Sequence, residues 1–72
     1  MNEKLRLIVA GALELDPSEI RDDTSVENQS KWDSLHHMNL IFAIEDGFGV
    51  RFDDAVLPRL TSIVAIEQAL AK

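Results

Sequence analysis

The spacing of apolar residues constrains the fold of this 72-residue chain more than any other feature of its sequence. In the first segment, apolar residues recur at the intervals i, i+3, i+4, i+7 and i+8: they are Leu5, Ile8, Val9, Ala12 and Leu13. This spacing places them on one face of an amphipathic helix, which we predict over residues 2–15. No segment alternates apolar and polar residues as a half-buried strand would, so the chain is predicted to be all-α.

A second main helix is predicted where a capping residue precedes the most apolar segment. Asp33 has a side chain suited to an N-cap, so this helix is predicted to run from Ser34 to Phe48. Ser30 begins a competing cap pattern that would start the helix earlier. Gly47 and Gly49 weaken the end of the helix and allow the chain to turn.

The last part of the chain is predicted to contain one short and one longer helical segment. Residues 53–57 suggest a brief helical turn that stops before Pro58, because a proline disfavours the helical conformation in the residue before it. Thr61 or Ser62 then offers an N-cap for a third main helix. The buried face of that helix is predicted to consist of Ile63, Ile66 and Leu70.

A long polar connection separates the first two main helices. It opens on Asp16 and Pro17, an N-cap followed by proline, which favours a single helical turn over residues 16–19. Residues 21–31 are predicted to form a loop that Val26 anchors in the core. Residues 24–27 have the form of a capping box with only a brief turn after it.

These elements predict one domain over residues 1–72: a small bundle of three main helices plus one short helix, with a long loop between the first and second helices. A chain of this length is near the lower size at which one core holds without disulfides or metal. Its hydrophobic content of 46% and mean hydropathy of -0.04 suit a globular protein rather than a disordered tail.

Composition and charge disfavour several classes of function. The chain has no cysteine, which excludes disulfides, thiolate metal sites and a cysteine nucleophile. Its net charge of -6 repels nucleic acid and anionic membranes and favours basic patches on partner proteins. The longest uninterrupted apolar run, residues 40–44, is far too short to span a bilayer. We therefore expect a cytoplasmic, monomeric protein.

The second predicted helix carries two apolar stripes. The first stripe contains Leu40, Ile41, Ile44 and Phe48, and the second contains Leu35, Met38 and Phe42. Their centres lie roughly 130° apart around the helix. Either the helix is central and mostly buried, or the second stripe is a docking patch on the surface. In the second interpretation, Glu45 and Asp46 flank the patch and pair with basic residues of a partner.

Ser34 is the candidate functional residue. At a helix start, unpaired backbone N–H groups and the helix dipole favour an anion, so a phosphate ester on Ser34 would form where the fold stabilises it. Ordinary capping by an Asp-Ser pair is the structural alternative. No base and orienting group converge on the serine, so we interpret it as a site to be modified rather than as a nucleophile.

His36 and His37 are weaker candidates for chemistry. Adjacent helical residues point about 100° apart, so the two rings do not converge on a metal ion, and no metal site is expected. His37 projects toward the first stripe and is predicted to be half-buried with a backbone hydrogen bond, whereas His36 is predicted to be solvated. With Ser34 and Asp33 they supply the residue types of a hydrolase, but these side chains splay outward from one helical turn. No catalytic residue is therefore predicted.

With these features together, the chain resembles an acyl carrier protein over nearly its whole length. The resemblance is carried by residues 5–13, by the long polar connection, by Asp33-Ser34-Leu35, by residues 40–50 and by residues 61–66, with a spacing that needs no insertions. It implies the acyl-carrier bundle. It also implies that the serine matching Ser34 receives 4′-phosphopantetheine from coenzyme A through a phosphopantetheinyl transferase, with Asp33 and Leu35 beside it. The terminal thiol of this arm would hold an acyl group as a thioester.

The resemblance further implies a set of partners and a docking surface. The residues that match the family's partner-docking helix are Leu35, Met38, Phe42, Glu45 and Asp46. The implied partners are the transferase and acyl-activating or acyl-transferring enzymes and synthases with basic docking patches. The protein itself would present its cargo and perform no catalysis.

The chain departs from the family pattern near the serine. Lys31 stands where the family usually has glycine, and the bulky Trp32 that follows either shields the attachment point or packs under the loop. His36 and His37 stand where fatty-acid carriers often have acidic or small residues. We therefore expect a carrier for a dedicated biosynthetic pathway. A peptidyl or aminoacyl carrier, and an unmodified helical interaction module, are the alternatives.

Overall fold

The computed structural model describes residues 1–71 and contains three α-helices: α1 (Glu3–Leu13), α2 (Ser34–Phe48) and α3 (Ile63–Leu70). Two short 3-10 helices lie between them, at Pro17–Glu19 and at Leu57–Arg59. The predicted all-α fold is confirmed. None of the helices in residues 1–71 is both long enough and apolar enough to cross a bilayer.

α1 is shorter at both ends than the predicted residues 2–15. Asn2 is its N-cap, with a side-chain oxygen that accepts a hydrogen bond from the Leu5 N–H at 3.2 Å. Glu14 ends the helix because its backbone is left-handed, with φ 59. The N–H of Leu15 then bonds to the carbonyl of Ala10 at 2.9 Å, which satisfies a carbonyl at the helix end.

α1 and α2 pack together in opposite directions. The Nζ of Lys4 lies 4.9 Å from the ring centroid of Phe48 near the end of α2. Next along, a Cβ at Gly47 would lie only 2.5 Å from Ile8 Cδ1, so a glycine allows the close approach. At the other end of α1, Glu14 lies beside the first turn of α2. The end of α1 is thereby placed at the end of α2 that begins with Ser34.

The core draws side chains from all three α-helices and from the connections between them. Its buried hydrophobic members are Leu5, Val9, Ala10, Leu13, Ile20, Trp32, Leu40, Ile41, Ile44, Leu60, Ile63 and Ile66. Ile63 and Ile66 are buried and Leu70 packs against them half-buried, which confirms the predicted face of α3.

The loop between α1 and α2 is anchored by Ile20, Thr24 and Trp32, and the predicted anchor Val26 is wrong. The Val26 side chain is 38% exposed because its backbone, rather than its side chain, makes the tertiary contact. Its N–H donates to the Thr61 carbonyl at 3.0 Å, beside the antiparallel bridge that pairs residues 25 and 62. The larger indole of Trp32 fills the core instead, with only 3% of its surface exposed.

The capping box predicted over residues 24–27 is also absent, because the hydroxyl groups close other turns. The Thr24 hydroxyl accepts a hydrogen bond from the Arg21 N–H at 2.8 Å, behind it in the chain. Ser25 accepts from the N–H of Glu27 at 3.2 Å. The brief turn predicted here is nevertheless present, since the Ser25 carbonyl accepts from the Gln29 N–H at 3.0 Å, and local side-chain to backbone bonds support it.

The short helix before α3 includes Pro58 instead of stopping before it. The turn predicted over residues 53–57 is present, since the Val56 N–H donates to the Asp53 carbonyl at 2.9 Å, but it runs on into the 3-10 helix at Leu57–Arg59, with the proline in the first turn of that helix. A proline is tolerated there because the N–H that it lacks would have no partner inside the helix. Of the two proposed caps for α3, Ser62 is the one used, since its hydroxyl accepts from the Ala65 N–H at 3.1 Å.

The same substitution at two glycines should shift stability in opposite directions. Gly49 ends α2 with φ +65, and a Cβ there would meet no atom within 4 Å, so alanine introduces only backbone strain. We expect Gly49→Ala to lower the free energy of unfolding by about 1 kcal/mol. Gly11 lies within α1 with equally open space, and Gly11→Ala should raise stability by about 0.5–1 kcal/mol. Urea unfolding of both variants measures this, and equal signs would contradict the assignment.

Candidate functional site

Ser34 is exposed and is the first residue of α2. Asp33 immediately before it has an extended backbone, and its carboxylate accepts a hydrogen bond from the His36 N–H at 2.9 Å. The Asp33 carbonyl accepts from the His37 N–H at 2.8 Å and closes the first helical turn. The predicted N-cap and helix start are confirmed, and the competing start at Ser30 is not used.

The Asp33 carboxylate is held in its charged form by His36. Its Oδ1 lies 2.8 Å from His36 Nδ1 as well as accepting the backbone bond. The His36 N–H, and then the His36 ring, hold the pKa of Asp33 below its ordinary value of 3.8. On its other side, His36 Nε2 lies 3.8 Å from Glu14 at the end of α1.

His36 is more enclosed than predicted from the sequence. Only 19% of its side chain is exposed, whereas the prediction was a solvated ring. The reason is tertiary: the antiparallel packing of α1 on α2 brings the Glu14 carboxylate to the far side of the imidazole. His36 therefore joins the end of one helix to the start of the next.

His37 joins α2 to the loop before it and to the 3-10 helix at Leu57–Arg59. The indole Nε1–H of Trp32 donates to His37 Nδ1 at 3.0 Å, and His37 Nε2 lies 3.1 Å from the Leu57 carbonyl. Because an indole N–H only donates, Nδ1 is the acceptor and Nε2 carries the proton given to Leu57. His37 is thus neutral in this arrangement. Its predicted half-burial and backbone bond are confirmed.

The hydrogen bond between Trp32 and His37 was not foreseen from the sequence. Trp32 lies outside α2, so the five-residue separation follows no helical repeat. The available signal was the presence of a donor-only indole in the loop that leads into a helix with two histidines. The packing of Trp32 under the loop, the second of the two expectations for this residue, is confirmed by its burial.

A surface groove of about 530 Å³ opens directly beside Ser34. We call it the Ser34 groove, and the residues that define it are Val26, Trp32, Ser34, His37, Met38 and Pro58. It lies between the start of α2 and the segment that includes the second 3-10 helix. Most of its lining is carbon, apart from the serine hydroxyl, the imidazole and the neighbouring Asp33 and Thr61. The groove therefore suits an apolar group attached nearby.

The second stripe of α2 lies on the surface. Leu35 is 71%, Met38 41% and Phe42 60% exposed, whereas Leu40, Ile41 and Ile44 of the first stripe are buried. We call Leu35, Met38 and Phe42 the α2 patch. Its exposure excludes the interpretation in which α2 is mostly buried, because α2 buries one face and exposes the other; docking of a partner on the patch stays a prediction. The patch begins at the residue that follows Ser34.

The two carboxylates beside the α2 patch have different surroundings. Glu45 is half-buried, and its Oε2 accepts a hydrogen bond from the Phe52 N–H at 2.8 Å. Asp46 is exposed. Glu45 therefore holds the chain after α2 in place, and Asp46 is the better placed of the two to meet a cation from outside.

Comparisons with known proteins assign this arrangement to a family. Residues 3–70 match the family model described as a phosphopantetheine attachment site. An acyl carrier protein of Thermosynechococcus vestitus is 34% identical over 61 residues, which cover 85% of this chain and 75% of the relative. The polyketide-8 synthase acyl carrier protein 2 of Streptomyces avermitilis is 36% identical over 61 residues, which cover 85% and 70% of the two chains.

Acid should remove a part of the stability that depends on the charge of Asp33. Because the pKa of Asp33 is lowered in the folded protein, the unfolded chain takes up this proton first. The contribution is complete above the ordinary value of 3.8 and is lost as pH falls through the folded pKa. An asparagine at this position would keep a capping oxygen without the charge. We therefore expect the stability difference between the parent and Asp33→Asn to shrink from about pH 5 to about pH 2.

Urea unfolding across that pH range measures the difference. Asp16→Asn is the matched comparison, because the pKa of Asp16 is likewise lowered, by a hydrogen bond from the Ser18 N–H, at a cap outside α2. A difference between the parent and Asp33→Asn that stays constant with pH would contradict the charged cap.

Proposed function

This chain belongs to the phosphopantetheine-binding acyl carrier protein family, and we propose that Ser34 bears the 4′-phosphopantetheine and that the protein presents acyl groups on it to partner enzymes. The observation that carries the proposal is the position of Ser34: an exposed hydroxyl at the first residue of α2, inside the matched residues 3–70. This position leaves the hydroxyl accessible to an enzyme that modifies it.

The surroundings of Ser34 fit a covalently attached phosphodiester. The start of α2 contributes the positive end of a helix dipole, which stabilises an added negative charge. Asp33 alone would oppose that charge, but its carboxylate is already engaged by the His36 ring and backbone N–H. In the modification, a bond forms between Ser34 Oγ and phosphorus. The bond from that phosphorus to the bridging oxygen of the pyrophosphate in coenzyme A breaks, adenosine 3′,5′-bisphosphate leaves, and the hydroxyl proton passes to the transferase or to solvent.

The attached group would supply the thiol that this cysteine-free chain lacks, as the site of a thioester. The residues of the chain itself hold and display the arm. Neither histidine is arranged as a base for Ser34, because His36 is engaged with Asp33 and Glu14, and His37 donates to Leu57 and accepts from Trp32. We therefore assign the protein no catalytic residue and the role of a carrier.

The α2 patch is the proposed docking surface for the enzymes that load and unload the arm. Three exposed apolar side chains follow Ser34 along one helix, so a partner that covers them also reaches the attachment point. The exposed Asp46 at the end of this face, together with a net charge of -6, favours partners with a basic rim. Glu45 is proposed to belong to this surface too, and its Oε2 accepts from the Phe52 N–H and so also holds the chain after α2.

We further propose that the pathway is a dedicated biosynthetic one. His36 and His37 make the front of α2 less acidic than in the general fatty-acid carriers that the sequence resembles. One relative is named for a polyketide synthase, which supports the same choice. The cargo in this proposal is an acyl group, and the loading enzyme is one that recognises the α2 patch.

The first prediction is a change in the mass of the protein. Incubation with coenzyme A, magnesium and a broad-specificity phosphopantetheinyl transferase should add one phosphopantetheine, because Ser34 is exposed at the helix start. Intact-mass spectrometry measures the addition, and Ser34→Ala is the control that should gain nothing. An unmodified parent that is folded, or a modified Ser34→Ala variant, would refute the assignment.

A second prediction concerns the α2 patch. Phe42→Ala removes an exposed ring from the centre of the proposed interface and should lower kcat/KM for the same transferase by about five- to tenfold. The fold should be unaffected because the ring is outside the core. Leu7→Ala, an equally apolar and exposed position on α1, is the matched control and should change the rate little. Equal losses in the two variants would argue against a specific patch.

A further inference from the structure

Trp32 stands at the boundary between the Ser34 groove and the core. Its side chain lines the groove, yet it also belongs to the cluster of buried hydrophobic residues and is almost wholly enclosed. Any apolar group that moves from the groove toward the middle of the bundle at this point meets the indole first. The indole therefore acts as the inner wall of the groove.

That wall is fixed by a chain of hydrogen bonds. The indole N–H donates to His37 Nδ1 at 3.0 Å, and His37 Nε2 in turn reaches the Leu57 carbonyl at 3.1 Å. The two rings are also stacked, with centroids 6.3 Å apart and planes 26° from parallel. This chain of contacts, which we call the Trp32 latch, ties the loop before Ser34 to α2 and to the 3-10 helix at Leu57–Arg59. To widen the gap between α2 and that 3-10 helix, the latch must break.

We propose that the Trp32 latch closes the core to the cargo of Ser34, so that the arm and the first carbons of its acyl group lie in the Ser34 groove. This inference rests on the proposed function, since it concerns the group carried on Ser34. The occupant of the groove follows from the covalent attachment at Ser34. Ser34 is itself a wall of the groove, and the carbon-rich lining beside it suits an acyl chain. The sequence alone left open whether the cargo is buried in the bundle, and the latch assigns it to the surface.

The absence of cysteine permits a test that does not need the transferase. Ser34→Cys would create the sole thiol of the chain, to which a thiol-reactive pantetheine analogue with a butyryl or an octanoyl end can be attached. Methyl NMR of the two conjugates then reports on both regions at once. Met38 marks the groove, and Leu40 and Ile66 mark the core. The single tryptophan makes fluorescence emission a direct report on the groove wall.

The expected result separates the two regions. Attachment should shift the Met38 methyl resonance and the Trp32 emission, and replacing butyryl with octanoyl should leave the Leu40 and Ile66 methyl resonances in place. Shifts of the Leu40 and Ile66 methyl resonances that grow with acyl length in this latched protein would overturn the proposal. So would the absence of any change at Met38 and Trp32, because the arm would then lie outside the groove.

A substitution in the Trp32 latch tests whether the latch is what closes the core. Trp32→Phe keeps a ring in the core but removes the N–H donor and part of the volume, and it is more conservative than Trp32→Ala for a buried position. In this variant the octanoyl group should shift the core methyl resonances that it left unchanged before. Val64→Ala, on the exposed face of α3, is the control and should behave as the parent. If the core methyl resonances of Trp32→Phe do not shift with the octanoyl group, the latch is not what closes the core.

The two proposals fail in different ways. If the transferase does not modify the folded parent, the carrier function is refuted by the mass measurement alone. The chemically attached arm still reveals whether the latch directs an apolar group on residue 34 to the groove or to the core.

Discussion

The cap that Asp33 places on α2 is the interaction on which the rest of the site depends. Its carboxylate bonds to the His36 N–H and fixes the first helical residue as Ser34. Had the helix begun after Ser30, Ser34 would be the fourth helical residue instead of the first, and helical backbone would precede it. The residues after it would then belong to a longer helix, and the preceding loop would join that helix at a different place. The exposed serine, the positive helix end and the α2 patch all follow from that one starting point.

α2 contributes one of its apolar faces to the core and exposes the other to solvent. A domain of this size does not bury both faces. One face gives Leu40, Ile41 and Ile44 to the core, where the burial of each is worth roughly 1.5–3 kcal/mol. The other face leaves Leu35 and Phe42 in water and forgoes that gain. An exposed apolar stripe on a chain with so small a core is best explained by a partner that covers it. The proposed docking function gives a reason for residues that the stability of the isolated domain does not require.

The sequence predicted the elements that depend on local periodicity and missed those that depend on tertiary packing. The apolar spacing of α1 and the caps at Asp33 and Ser62 depend only on residues close together in the sequence, so the sequence predicts them. The prediction that Val26 anchors the loop is wrong because the backbone of this segment pairs with the segment before α3, and the Val26 side chain is left exposed. The enclosure of His36 similarly depends on tertiary packing, because α1 is distant in the sequence and lies against the ring in the fold. The proposed attachment role of Ser34 rests on the motif and the family resemblance together, since an Asp-Ser helix start alone is ordinary capping.

The adjacent histidines perform opposite structural tasks because helical geometry turns them apart. His36 faces the end of α1, where it lies between Asp33 and Glu14, and His37 faces the other way, toward Trp32 and Leu57. Together they tie the first turn of α2 to the elements on both of its sides. Ser34 remains exposed on a turn that is held from two directions. A flexible arm presented from a fixed base keeps its attachment point in one place while its far end moves. For that reason we regard the two histidines as supports of the proposed carrier site and not as reagents in it.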